Sequence, residues 1–321
     1  MTQTQTDSAA LFAASRRRLL SIAYRMLGSV SEAEDVVQET WIRWHEMDHL
    51  AHRQLETPVA WLTTVATRLA IDRLRRLQRE RAILPGPWLP EPWLDEHAPS
   101  AEDAVSMLSD LSYGVLLLLE RLSPDERAAL LLHEVFDCQY EEIARALGKK
   151  PAHCRQLVRR AKERVQSGRA RPVTGGVAGE EVCERLVQDF LCAIRSQDKQ
   201  AMMRLVAPDA MVIGDGGDGG NSGYGAPVAC LAATQPAGHF IDAMASPDLS
   251  DLTVESVCIN GGWGAGLAWR GNIVLALSFE MNGPCISTIY AVANQHKLNG
   301  VSHLLSSGAT CGVAATMGGC K

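Results

Sequence analysis

Between Arg145 and Arg171 the chain carries ten lysines and arginines and one acid, Glu163. Cations at this density neutralise phosphates, and arginine can also fork onto a guanine edge. The run does not reflect a basic protein. The 321 residues have a formal net charge of −6, and the segment from Glu180 onward, with 13 acidic and 7 basic residues, accounts for all of it. Bunched positive charge on an acidic chain points to a local polyanion contact rather than general adhesion. A second basic set, Arg68, Arg75, Arg76 and Arg79, recurs at spacings of seven, eight and eleven, which places it on one helical face. Trp61, upstream of it, suits either a core position or stacking on an unpaired base.

Catalytic patterns are missing from the sequence. There is no GxSxG, Walker loop or HExxH. "GDGGDGGNSG" at Gly214–Gly223 lacks the Lys-Ser/Thr of a phosphate loop and the later acids of a calcium loop, so it reads as a flexible turn. Asp215 and Asp218 are a single carboxylate pair on a loop, and His239 and His303 stand alone. No metal and no cofactor is expected, and the chain does not read as an enzyme. The nine cysteines are scattered with no CxxC pair, as in a protein with reduced thiols. The polar start "MTQTQTDSAA" has no apolar signal core, and no apolar run approaches the roughly 20 residues that span a bilayer. A cytoplasmic location without membrane attachment is the expectation.

Glycine divides the elements that must hold these residues. Only five of 27 glycines precede Gly175. In the first half, Ser31-Glu32-Ala33-Glu34 reads as a capping box before Val37, Trp41 and Trp44. Thr57-Pro58 opens a helix with Leu62, Val65 and Leu69 on one face. Ala101–Leu122 reads as a further helix, and Ser123-Pro124-Asp125-Glu126 is a second capping box. Asp137–Val165 reads as a short helix, a turn at Gly148, and a longer helix opened by Pro151. Ile143, Ala144 and Leu147 are apolar on the first. Cys154, Leu157, Val158, Ala161 and Val165 form a stripe on the second, opposite His153, Gln156, Arg159 and Arg160. This spacing fits a helix-turn-helix and equally an αα-hairpin with a solvated basic face.

The second half begins with an amphipathic helix over Glu181–Arg195. Short strands follow at Gly266–Trp269, Ile273–Phe279 and Ile286–Val292, the order of an α+β domain. Gly214–Ala226 is assigned no regular structure. Between the helical segments lies Ile83–Glu96, "ILPGPWLPEPWLDE", with four prolines and two tryptophans in fourteen residues. Proline keeps such a segment extended, and exposed indoles favour docking.

Together these segments resemble the extracytoplasmic-function (group 4) sigma factors of bacterial RNA polymerase. "AYRMLGSVSEAEDVVQETWIRW", Ala23–Trp44, is similar to region 2 of that family. "LSPDERAALLLHEVFDCQYEEIARALG", Leu122–Gly148, with "CRQLVRRAKERV" after it, is similar to region 4. "WLPEP", Trp88–Pro92, resembles the linker motif of the ECF41-like or SigJ-like subgroup, which carries a fused SnoaL-like (NTF2-fold) domain. That subgroup's "DGGGK" and "NPDKL" motifs have counterparts in "DGGDG", Asp215–Gly219, and "NQHKL", Asn294–Leu298. The first lacks the lysine, and the second has Gln295-His296 in place of Pro-Asp.

The resemblance implies a multidomain chain: a region 2 helical bundle over 8–82, a Pro/Trp linker over 83–100, and a region 4 helix-turn-helix over 101–167. A linker over 168–180, an α+β NTF2/SnoaL-like cone over 181–301 and a disordered tail over 302–321 complete it. It implies a sigma factor that binds core RNA polymerase, through clamp helices and flap, and promoter DNA. Asp35, Gln38, Glu39 and Trp41 fall at the polymerase-binding positions. Trp61, Arg68, Arg73, Arg75 and Arg76 fall where the minus-ten element is recognised and melted. Lys149, Lys150, His153, Arg155, Gln156, Arg159 and Arg160 fall on the minus-thirty-five reader. The interdomain regulatory set is Trp88, Leu89, Pro90, Glu91, Pro92, Asp215, Gly216, Gly217, Asn294, Lys297 and Leu298. Control by the fused domain stands in for a separate anti-sigma factor. Trp88 is expected to be buried against the region 2 or C-terminal domain. Two other readings remain, a one-component repressor and a regulator whose cone senses or converts a small ligand.

Overall fold

The structure is a computed structural model that describes residues 3–47, 55–81, 88–94, 111–168, 180–216, 234–249 and 251–307. The chain divides into two compact units. The first comprises residues 1–83, 105–109 and 115–170, and the second comprises 84–104, 110–114 and 171–321. The proline-rich segment therefore belongs with the C-terminal domain.

In the first unit, α1 (Gln3–Leu27), α2 (Val30–His45) and α3 (Pro58–Arg81) pack together. Gly28 ends α1 with φ +65 and its N–H on the Tyr24 carbonyl at 2.7 Å. That left-handed turn brings Ser29 directly to the cap position, where its hydroxyl accepts from Glu32 N. The cap is thus Ser29 and not Ser31, which lies inside the first turn. The buried stripe of α3 is Leu62, Ala66, Ala70 and Leu74. Val65 and Leu69 are only half-buried, because they lie to the side of a buried face that also includes Thr63, Thr67 and Ile71. Trp44 is 2% exposed, donates to Ser8 O, and lies 5.6 Å from the half-buried Trp61 ring. Trp61 is therefore part of this packing.

Four more helices follow: α4 (Tyr113–Glu120), α5 (Pro124–Glu134), α6 (Tyr140–Leu147) and α7 (Pro151–Gly168). The helix expected over Ala101–Leu122 is described only from Tyr113, and 101–110 lie outside the described residues. Ser123 and Glu126 form the expected capping box at α5. Replacing Ser123 with alanine should cost about 1 kcal/mol, read as a lower thermal midpoint of the full chain. Gly148 joins α6 to α7 at φ +63, a conformation that excludes β-branched residues. Cys154, Leu157, Val158, Ala161 and Val165 are all buried, as the periodicity predicts.

Arginines tie the helices of this unit together. Arg127, 1% exposed, donates to Leu119 O and Met26 O and pairs with Glu120 at 2.8 Å. Arg81 donates to Leu27 O at 2.6 Å and also meets Glu120. The last carbonyls of α1, which lack helical partners, are satisfied in this way.

The second unit contains α8 (Glu180–Arg195), α9 (Lys199–Leu205), β1 (Val206–Asp215), β2 (Gln235–Pro236), α10 (Ala237–Met244), β3 (Leu252–Ile259), β4 (Gly262–Trp269), β5 (Asn272–Asn282), β6 (Cys285–Val292) and α11 (Gln295–Ser307). The sheet order is β2-β1-β6-β5-β4-β3, antiparallel except for the β1–β6 pair. Helices and sheet enclose a core that includes Phe190, Phe240, Val212, Leu277 and Ile289. The sheet exceeds the three strands read from the sequence. Gly214 and Asp215, expected in irregular structure, close β1, while 217–226 lie outside the described residues. One of the glycines that obscure β4 has a packing role: a Cβ at Gly264 would lie 2.6 Å from the Leu277 carbonyl. The expected disordered tail is helical to Ser307, and 308–321 lie outside the described residues.

Candidate functional site

The helix-turn-helix presents its polar side outward. Lys150, His153, Arg155, Gln156, Arg159 and Arg160 are exposed along α7 and its lead-in, and Lys149 is half-buried. Arg159 pairs with Glu163 on the same helix at 3.6 Å. Arg155 lies 5.3 Å from the Tyr140 ring. Arg160 and Arg164 approach Glu126 of α5, whose carboxylate is 3% exposed. The buried stripe fixes the rotation of α7, so its charged side is left for solvent or a partner.

On α3, Arg68, Arg75 and Arg76 are exposed, and Arg76 pairs with Glu80. Arg73 departs from this group. It turns to α2, where it pairs with Glu32 and reaches Asp35 at 3.5 Å. Burial, and then the charge of Arg76, lowers its pKa, although arginine keeps its proton. Arg73 thus joins α3 to α2. Asp35 and Gln38 are exposed, Glu39 pairs with Arg43, and Trp41 packs on Phe12 and His45.

Within the second unit the linker motif lies in a polar cradle. Leu89 N donates to Asp215 Oδ2 at 2.9 Å, while Lys297 Nζ donates to Leu89 O and to the same Asp215 oxygen, each at 2.5 Å. Asp215 and Lys297 are 4% and 14% exposed, so the pair is largely removed from water. Lys297 Nζ also lies 4.3 Å from the Trp88 ring centroid, within cation–π range. Farther along, Trp93 N donates to Asn260 Oδ1 and Asn260 N donates to Trp93 O, both at 2.8 Å. Asn260 and Gly261 both have positive φ, the conformation of a two-residue hairpin turn between β3 and β4.

These contacts bring together three motifs spread along the sequence, with Leu89 and Lys297 208 positions apart and Asp215 between them. They also refine the expectation for the tryptophans. Trp88 is half-buried beneath the lysine, whereas Leu89 at 0% and Trp93 at 5% carry most of the burial, with Pro90 and Pro92 also buried. Lys297, the lysine of the "NQHKL" stretch, pairs with Asp215 of "DGGDG". Glu91, Gly216 and Asn294 are partly exposed, Leu298 is 1% exposed in the α11 packing, and Gly217 lies outside the described residues. Asn260 escaped the sequence reading, although the Asn260-Gly261 dipeptide is itself a hairpin signal. Also within the second unit, the Tyr113 ring stacks on Tyr290 at 5.3 Å, and Tyr290 donates to Glu280 at 2.7 Å.

Among the described residues no cluster of three His, Cys, Asp or Glu side chains could hold a metal, and no helix is long and apolar enough to cross a membrane. The architecture is that of a helical unit with a helix-turn-helix, followed by an α+β cone that carries the linker. Residues 11–80 match Sigma-70 region 2, and residues 114–165 match Sigma-70, region 4. The chain belongs to the extracytoplasmic-function sigma factors. It is 38% identical over 207 residues to the ECF RNA polymerase sigma factor SigJ of Mycobacterium tuberculosis, spanning 64% of each chain. It is 30% identical over 152 residues to the ECF RNA polymerase sigma factor SigE of Mycolicibacterium smegmatis, which covers 46% of this chain and 56% of that one. The crystal structure of the M. tuberculosis SigJ superposes with a TM-score of 0.64 at 27% identity, over 91% of this chain and 98% of that one.

Proposed function

We propose that the chain acts in the cytoplasm as a sigma factor, not an enzyme, that binds core RNA polymerase and directs initiation at a restricted set of promoters. The observation that supports this most is the pairing of an ordered region 2 bundle with an outward-facing, cation-rich α7. Arg155, Gln156 and Arg159 read the minus-thirty-five element, with Lys149 and Lys150 on flanking phosphates. The basic face of α3 serves the minus-ten element, and Asp35, Gln38, Glu39 and Trp41 serve the polymerase.

The C-terminal domain controls activity through the linker rather than through a separate anti-sigma factor. Its cradle around residues 88–94 sets how freely the connection between regions 2 and 4 can move. Run-off transcription with core polymerase tests both halves of the proposal. Promoter-dependent transcripts are expected from the full chain, and their absence, with no polymerase retained in a pull-down, overturns the sigma reading. A chain ending at Gly168 should give a strongly changed output. Unchanged output would end the regulatory reading alone.

A further inference from the structure

Asp125, at the start of α5, holds one cation on each carboxylate oxygen. Arg75 Nη2 of α3 reaches Oδ1 at 2.9 Å, and Lys149 Nζ, just before α7, reaches Oδ2 at 3.0 Å. One cation belongs to the region 2 face and the other to the helix-turn-helix. Two turns before Arg75 on the same face, Arg68 donates from Nε to Ala146 O at 2.9 Å and from Nη2 to Arg145 O at 2.6 Å. Those carbonyls lie at the C-terminal end of α6, where the helix dipole is negative. Arg68 and Arg75 thus both rest on negative groups of region 4. Along α7 itself, His153, Arg155 and Gln156 remain exposed.

A carboxylate with two oxygens between two cations presents the charge and geometry of a backbone phosphate. We propose that Asp125 is an internal substitute for promoter phosphate. It occupies Arg75 and Lys149 in the free protein and, with the α6 carbonyls on Arg68, engages two arginines of the basic face of region 2 while Arg76 and the reader helix stay open. Both pairs are partly exposed: the Arg75 and Asp125 side chains are 51% and 25% exposed, and Lys149 is 27% exposed. Pairs of this kind are individually weak, so a polyanion can displace them. The inference rests on the proposed assignment of Arg75 and Lys149 as DNA contacts.

Phosphate contacts do not depend on sequence, so the test is binding of the full chain to a fluorescein-labelled duplex of mixed sequence, about 30 base pairs long, at about 100 mM salt. Asp125→Asn should bind about threefold to tenfold tighter than the parent chain. Asp125→Ser, which retains a good helix-start residue, should behave alike, whereas Asp125→Glu should stay near the parent value. Glu34→Gln makes the same change in net charge away from these cations and should also stay near it. If Arg75→Ala and Lys149→Ala weaken binding in the Asp125→Asn background but Asp125→Asn and Asp125→Ser bind no tighter than Glu34→Gln, this inference is wrong and the DNA assignment stands. If neither cation variant weakens binding there, the DNA assignment fails, and this inference fails with it.

Discussion

Replacing Lys297 with methionine should release the linker from the C-terminal domain and destabilise that domain by about 3–5 kcal/mol, the usual cost of removing one partner from a buried ion pair. Methionine keeps an apolar stem of similar length, so the loss isolates the charge. Asp215, with its side chain 4% exposed, then holds its negative charge without the ammonium that offsets desolvation. Leu89 O loses its Lys297 donor, and the Trp88 ring loses the cation above it. The expected readouts are a lower urea midpoint, faster proteolysis within 88–94, and tryptophan emission shifted to the red as Trp88 and Trp93 meet water. Combining Asp215→Asn with Lys297→Met should restore much of the loss, because no unpaired charge then remains buried. A Lys297→Met protein with the parent midpoint and emission would show that the cradle contributes nothing to stability. Under the proposed function, the same variant changes transcription output while every DNA-facing side chain is intact.

Replacing Arg159 with alanine should weaken binding to the cognate promoter by about 1–3 kcal/mol, the discrimination carried by a good arginine–guanine pair. The fold should be nearly unaffected, since the side chain is 76% exposed and its salt bridge to Glu163 is a weak surface pair. Lys162→Ala provides the contrast. Lys162 pairs with Glu134 of α5 at 2.8 Å and lies outside the proposed reader set. Gel-shift titrations on promoter and mixed-sequence duplexes separate the effects. The Arg159 variant should lose affinity mainly for the promoter, and the Lys162 variant should lose little for either. Equal loss on both duplexes would make Arg159 a phosphate contact rather than a reader of bases.

The helical half was largely legible because its signals are local. The Ser123–Glu126 box, Gly148, Pro151 and the five-residue stripe from Cys154 to Val165 lie within one or two turns of the groups they affect, and each appears as expected. The Ser29 cap is not legible in the sequence because two serines two positions apart, Ser29 and Ser31, both suit the pattern and the left-handed turn at Gly28 selects between them. In the C-terminal domain the local signal is weaker. Strand β4 carries Gly264 where the Leu277 carbonyl approaches too closely for a side chain, and β1 ends in glycine-rich sequence. Pairing with distant strands makes them strands, and no short window contains that information.

Residue types and spacing alone determined that this chain begins with capped amphipathic helices, carries a basic face on a helix-turn-helix or αα-hairpin pattern and has a stiff aromatic linker, because hydrophobic period, caps and charge are properties of neighbouring residues. Regions 2 and 4 were implied by the resemblance of whole motifs to a known family. Only the tertiary structure decided what those parts touch. It turned Arg73 inward to Glu32, placed Arg127 on the end of α1, and joined Arg75 and Lys149 through Asp125. It also buried Leu89 and Trp93 more deeply than Trp88 and closed Asp215, Lys297 and Asn260 around them. An ion pair or hydrogen bond gains its strength from being held at about 3 Å and shielded from water. For groups up to 208 residues apart, that distance is set by the packing of the whole domain.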